Sequence, residues 1–112
     1  MATSPTDRLK VIKSNYIDAL ENEPHDLASA TTAADVTAVQ ANVANARSTF
    51  FAAVAADLSS SISAVEDAYD VAIAAQKSVQ DARDASESLA KILGKLKKAT
   101  DSATTLLKKA TK

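Results

Sequence analysis

One histidine, no cysteine and scattered carboxylates are all that the chain offers for chemistry. His25 stands in Glu23-Pro24-His25-Asp26, a stretch that reads as a loop, so its expected place is the surface. A di-iron helical bundle needs a Glu-x-x-His pair twice over, and one histidine cannot supply it. The carboxylates Glu66, Asp67 and Asp70, extended by Asp57, Asp81 and Asp84, match no EF-hand loop and read as a solvated helix face. A serine nucleophile needs a base beside it, and there is neither a Gly-x-Ser-x-Gly elbow nor a glycine-rich phosphate loop. The chain is therefore expected to be no enzyme, with no cofactor, metal or small-molecule substrate.

The charges carry a sharper signal. Residues 1–90 hold 13 acidic and 6 basic residues (net −7), whereas residues 91–112 hold seven lysines against Asp101 alone (net +6). Lys91, Lys95 and Lys98 fall on one side of a helix whose other side carries Leu89, Ile92, Leu93 and Leu96; Lys108 and Lys109 extend the charge. That is the pattern of a helix lying on an anionic surface, and these five lysines are the candidate contacts to such a surface or to a partner. The competing reading docks them beside the acidic faces of neighbouring helices. Nucleic acid is not expected, since no arginine or aromatic residue interleaves with the lysines and the rest of the chain is acidic.

The elements that must position these residues are helices. From Thr32 to Leu93 the larger apolar residues Val36, Val39, Val43, Phe50, Val54 and Leu58, then Ile62, Val65, Tyr69, Ile73, Val79 and Leu89, recur mostly at steps of three and four. A first helix is expected over 5–22. It starts from Ser4-Pro5-Thr6-Asp7 with Ser4 as cap and Pro5 at the first helical position, faces the core with Leu9, Ile12, Tyr16, Ala19 and Leu20, and ends before Pro24. The second, over 32–58, starts at Thr32 or Ala33, with a start at Pro24 as the alternative. Ser59-Ser60-Ser61 then turns the chain, helped by a capping box Ser63-Ala64-Val65-Glu66, although one continuous rod would also keep helical phase. The third helix is expected over 63–93, with Gln76 and Arg83 near its stripe hinting at a polar layer. Gly94, the only glycine, either stops it or is tolerated inside a helix at about 1 kcal/mol. A fourth is expected over 96–109.

A chain of 112 residues fits one domain, 1–112. Twenty-five alanines and few aromatics mean that helices fill space by approaching closely. The expectation is an all-α up-and-down bundle of three to four helices, built on a long central hairpin of helices two and three. No signal peptide of the usual kind and no apolar run of roughly 20 residues is present, so a soluble cytoplasmic protein is expected. The expected role is non-catalytic: structural or protein-binding, with self-association as one form of it. The alternative is an amphipathic coat on lipid, membrane or hydrophobic-granule surfaces, bound through the basic C-terminal helix; its alanine-rich, cysteine-free composition resembles that of phasins.

Overall fold

The computed structural model describes residues 2–112. Among them, four helices and no strand form the regular structure: α1 (Pro5–Ser29), α2 (Ala33–Ala55), α3 (Ser63–Asp84) and α4 (Leu89–Ala110). The all-α bundle is thus as expected, but several helix ends move, each for a local reason.

α1 begins as its sequence predicts. Asp7 N–H donates to Ser4 Oγ at 3.1 Å and Ser4 N–H to Asp7 Oδ2 at 3.0 Å, a reciprocal cap with Pro5 behind it. Its other end is a correction: α1 runs through Pro24 to Ser29 instead of stopping at Asn22. A proline inside a helix costs about 3 kcal/mol. The offset lies two residues on, where Asp26, only 2% exposed, is fastened to Arg83 of α3.

α2 starts on the Thr32 cap, whose Oγ1 accepts from Asp35 N–H at 3.1 Å, and ends at Ala55, three residues before the expected Leu58. The chain then crosses one end of the bundle as an extended segment, 56–62, so Ser59–Ser61 is a break and not a rod. The capping box expected at Ser63 does not form. Ile62 occupies the cap position without a side-chain bond, and the Glu66 carboxylate is engaged by Thr3 and Arg8 instead.

The largest shift is at the end of α3, which stops at Asp84 and not at Leu93. Ser86 takes a left-handed φ of 53°, its N–H donates to Arg83 O, and Glu87 N–H reaches back to Ala82 O, both at 3.0 Å. This is the Schellman ending, with serine where glycine is usual. α4 then begins at Leu89, seven residues before the expected start, and carries Gly94 in its interior without a positive φ.

α1 and α3 run one way and α2 and α4 the other. α3 lies against α4 and α1 against α2, while α1 and α4 also face each other across the middle. α2 and α3 stand at opposite corners and do not touch, so the pairing expected for a central hairpin is replaced by the crossover 56–62. The core falls into two clusters. One gathers Ile12, Val65 and Leu106 near the crossover; the other gathers Val79, Ile92 and Leu96 toward the far end. A polar layer joins three helices: Asn15 Nδ2 donates to Thr100 Oγ1 at 3.1 Å, and Thr100 Oγ1 to Asn42 Oδ1 at 2.8 Å. Gln76 contributes separately, donating to Val11 O at 2.6 Å.

Candidate functional site

The five candidate lysines all lie on α4, whose apolar side is used by the bundle: Ile92, Leu96 and Leu106 are buried. Lys91, Lys98, Lys108 and Lys109 are exposed, and among the described residues none of them forms an ion pair. Lys95 differs, reaching Glu87 Oε2 at 3.3 Å across the turn into α4. The lysines therefore share the outside of one helix without an acidic helix docked on them. A helix lying in a lipid surface by its apolar face would have to leave the bundle.

Two buried arginines organise the ends. At the crossover, Arg8 is 3% exposed and sends Nη1 to Leu58 O at 2.6 Å and to Ser60 O at 2.9 Å, Nη2 to Glu66 Oε2 at 3.1 Å and Nε to Thr3 Oγ1 at 3.0 Å. Thr3 completes the knot, donating from its N–H to Glu66 Oε1 at 2.9 Å. This Thr3 bond, with Arg8 behind it, holds the Glu66 carboxyl below its ordinary range. The half-buried Glu66 is thereby committed to partners within the fold, while Asp67 and Asp70 face water.

At the far end Arg83 grips Asp26 with two bonds and stands 3.7 Å from Asp18. Burial pushes the Asp18 carboxyl up against the pull of Arg83. Burial also works against the Arg83 charge, but Asp26 and then Asp18 outweigh it, and its pKa rises. A cleft of about 460 Å³ opens beside this pair, lined by His25, Asp26, Arg83, Ser86 and Glu87. His25 thus sits on an α1 face beside the cleft and not in a loop. The cleft's charged groups are already matched within the fold: Asp26 by Arg83 and Glu87 by Lys95.

Apolar surface is the other candidate. On the α1–α2 side, Phe51 and Val54 are 58% and 59% exposed. Tyr16 stacks on Phe50 at 5.8 Å between ring centroids and meets Phe51 edge-on at 6.3 Å, so the exposed phenylalanine continues an aromatic cluster rooted in the bundle. Leu20, one turn along α1, is exposed as well. Val54 and, on α3, Ile73 belong to the expected core stripe yet lie open, because the facing of α2 and α3 that would have covered them does not occur. On the α2–α4 side, a second groove of about 400 Å³ runs past Ala38, Ala41, Asn42 and Gly94.

Of the two arginines, Arg83 falls near the expected α3 stripe, whereas Arg8 lies outside the expected α1 face. Arg8, Ile12, Asn15, Ala19 and Asp26 lie on one helical stripe and are all buried. That stripe shares Ile12 and Ala19 with the expected Leu9–Ile12–Tyr16–Ala19–Leu20 face but takes in Arg8, Asn15 and Asp26, and leaves Leu20 exposed.

No protein family, curated protein or solved structure matches the chain.

Proposed function

We propose that the protein is a non-catalytic helical bundle that works by binding a protein partner, and that α2 provides the binding surface. One observation carries the reading: Phe51 and Val54 stand more than half exposed beside the Tyr16–Phe50 stack. Large apolar side chains contiguous on a surface mark interaction sites, and aromatic anchors supply most of the energy there. Phe51→Ser with Val54→Ser tests it. Because both side chains are exposed, the doubly substituted chain should melt as the wild type does, yet lose a protein that the wild type retains in affinity capture from its own cells. Identical retained sets would overturn the reading.

A second reading is favoured by the exposed lysines. Lys91, Lys98, Lys108 and Lys109, with Lys95 beside them, form a basic strip that suits an anionic membrane surface held by charge alone. Vesicles with and without anionic lipid distinguish the two: Lys91→Glu with Lys98→Glu would abolish sedimentation with anionic vesicles and leave the Phe51-dependent partner bound. As for the membrane itself, no helix is long and apolar enough to cross one among the described residues.

A further inference from the structure

We infer that the α2–α4 groove is the site of a symmetric dimer, in which a second copy of this chain packs its α2 and α4 antiparallel against the first. The inference goes beyond the partner reading, since it uses the side of α2 that faces α4, away from Phe51.

The first observation is a glycine without an internal reason. Gly94 lies inside α4 with ordinary backbone angles, and a Cβ built on it would meet nothing within 4 Å. A mid-helix glycine weakens the helix, and neither a turn nor a neighbouring element requires this one. Close approach of a backbone from outside would account for it.

The second is the neighbouring face of α2. Ala34, Ala38, Ala41, Asn45, Ser48 and Ala52 are spaced by four and three alternately, and all are exposed. That is the spacing of a helix–helix seam, and side chains so small let two axes approach near the short end of roughly 8–10 Å. α2 has only two charged residues, Asp35 and Arg47, and neither is on the seam. The matching face of α4 carries Ala90, Gly94, Lys97, Asp101, Thr104 and Lys108, again alternating four and three.

The third is an unmet polar group in the groove. Asn42 lines it, is 8% exposed, and its Nδ2 has no hydrogen-bond partner, while its Oδ1 is taken by Thr100. A buried amide left unpaired is costly and calls for an acceptor.

Symmetry then chooses the occupant. In an antiparallel pair about a twofold axis, each residue meets the one equally far beyond the centre. On α2 this sets Ala34 opposite Ala52, Ala38 opposite Ser48 and Ala41 opposite Asn45, all centred on Val43. On α4 it sets Ala90 opposite Lys108, Gly94 opposite Thr104 and Lys97 opposite Asp101, all centred on Ala99. Two hydrogen bonds link these parallel helices, Asn42 to Thr100 and Thr49 to Thr104, and between them they bracket the level of Val43 about Ala99, so a single axis serves both helices. Lys97 and Asp101, exposed and only 3.9 Å apart within one chain, would exchange partners across that axis as two reciprocal ion pairs. The second copy's Asn45 would come beside the unmet Asn42 amide. A groove whose charges and small residues are complementary to themselves is the mark of an isologous interface.

Sedimentation velocity over a range of concentrations tests this on the whole chain, with circular dichroism to follow folding. The wild type should show a monomer–dimer equilibrium. Gly94→Leu should raise the melting temperature at low concentration, since leucine is the better helix former and has room, and should abolish the dimer. Lys97→Asp should weaken the dimer by about tenfold, the size expected when two exposed pairs turn repulsive. Adding Asp101→Lys should restore it. Phe51→Ser with Val54→Ser should dimerise normally, which separates this inference from the fate of the partner reading. A wild type monomeric at every concentration, a Gly94→Leu chain that dimerises unchanged, or a swap that fails to rescue would each overturn the inference.

Discussion

Arg83 holds Asp26 through two parallel hydrogen bonds, Nη1 to Oδ1 at 2.8 Å and Nη2 to Oδ2 at 3.0 Å, and so ties the last turn of α1 to the end of α3. Both side chains are more than nine-tenths buried, so Asp26 depends on Arg83, and Arg83 depends chiefly on Asp26 with Asp18 behind it. Asp26→Ala would leave the buried Arg83 charge with only the more distant Asp18, at 3.7 Å, and should cost about 3 kcal/mol in urea unfolding. It should also release the turn beyond Pro24, seen as faster amide exchange over residues 25–29. Replacing both partners, Asp26→Leu with Arg83→Met, should recover most of the loss.

Arg8 does for the crossover what Arg83 does for α1. Its bonds to Leu58 O and Ser60 O fix an extended segment that has no regular structure of its own. Arg8→Met should expose that segment to proteases, with first cleavage between Asp57 and Ile62, while the helical content measured by circular dichroism stays near that of the wild type. A lysine at position 8 should not rescue, because one ammonium cannot reproduce the guanidinium fork.

Two carboxylates should respond to acid with opposite sign. Glu66 has its pKa lowered in the fold by Thr3 and Arg8, so its contribution is present above the unfolded pKa and is lost as pH falls through the folded one. Asp18 has its pKa raised by burial, so it binds its proton more readily folded than unfolded and weighs against the fold as pH rises through its folded pKa. Asp18→Asn should therefore melt higher than the wild type at neutral pH, and the gap should narrow on acidification. Glu66→Gln should melt lower at neutral pH, and its gap too should close in acid. Melting temperatures measured across the acid range check both.

Ser86 carries a left-handed backbone that glycine adopts without penalty. Ser86→Gly should stabilise the bundle by about 1 kcal/mol, a rise of roughly 4 to 8 °C in melting temperature for a domain of this size.

That serine also explains where the sequence was hard to read. Periodicity and composition were enough for four helices, for the Ser4 and Thr32 starts and for a break near Ser59–Ser61, because those depend on neighbours along the chain. The end of α3 is not legible because the only glycine, Gly94, has the character of a stop yet is tolerated inside α4, while Ser86 takes that part under the hold of its own Schellman bonds. Pro24 misled in the same way, since the ion pair that overrides it joins residues far apart in sequence. Helix pairing was illegible for a further reason: helices so rich in alanine have several faces apolar enough to be the buried one, and α2 is the extreme case. The basic strip could be read on α4, but the openness of Phe51 and Val54 could not, because it follows from the separation of α2 and α3.

The layer of Asn15, Thr100 and Asn42 has a consequence for a bundle built this way. Alanine packs against alanine almost equally well when one helix slides past another by a turn, about 5.4 Å, so methyl groups alone leave several alignments close in energy. An amide and a hydroxyl do not tolerate such sliding: one step out of place and each is stranded in a dry interior. These three side chains act as an index mark, selecting one alignment of α1, α2 and α4 from among its near copies.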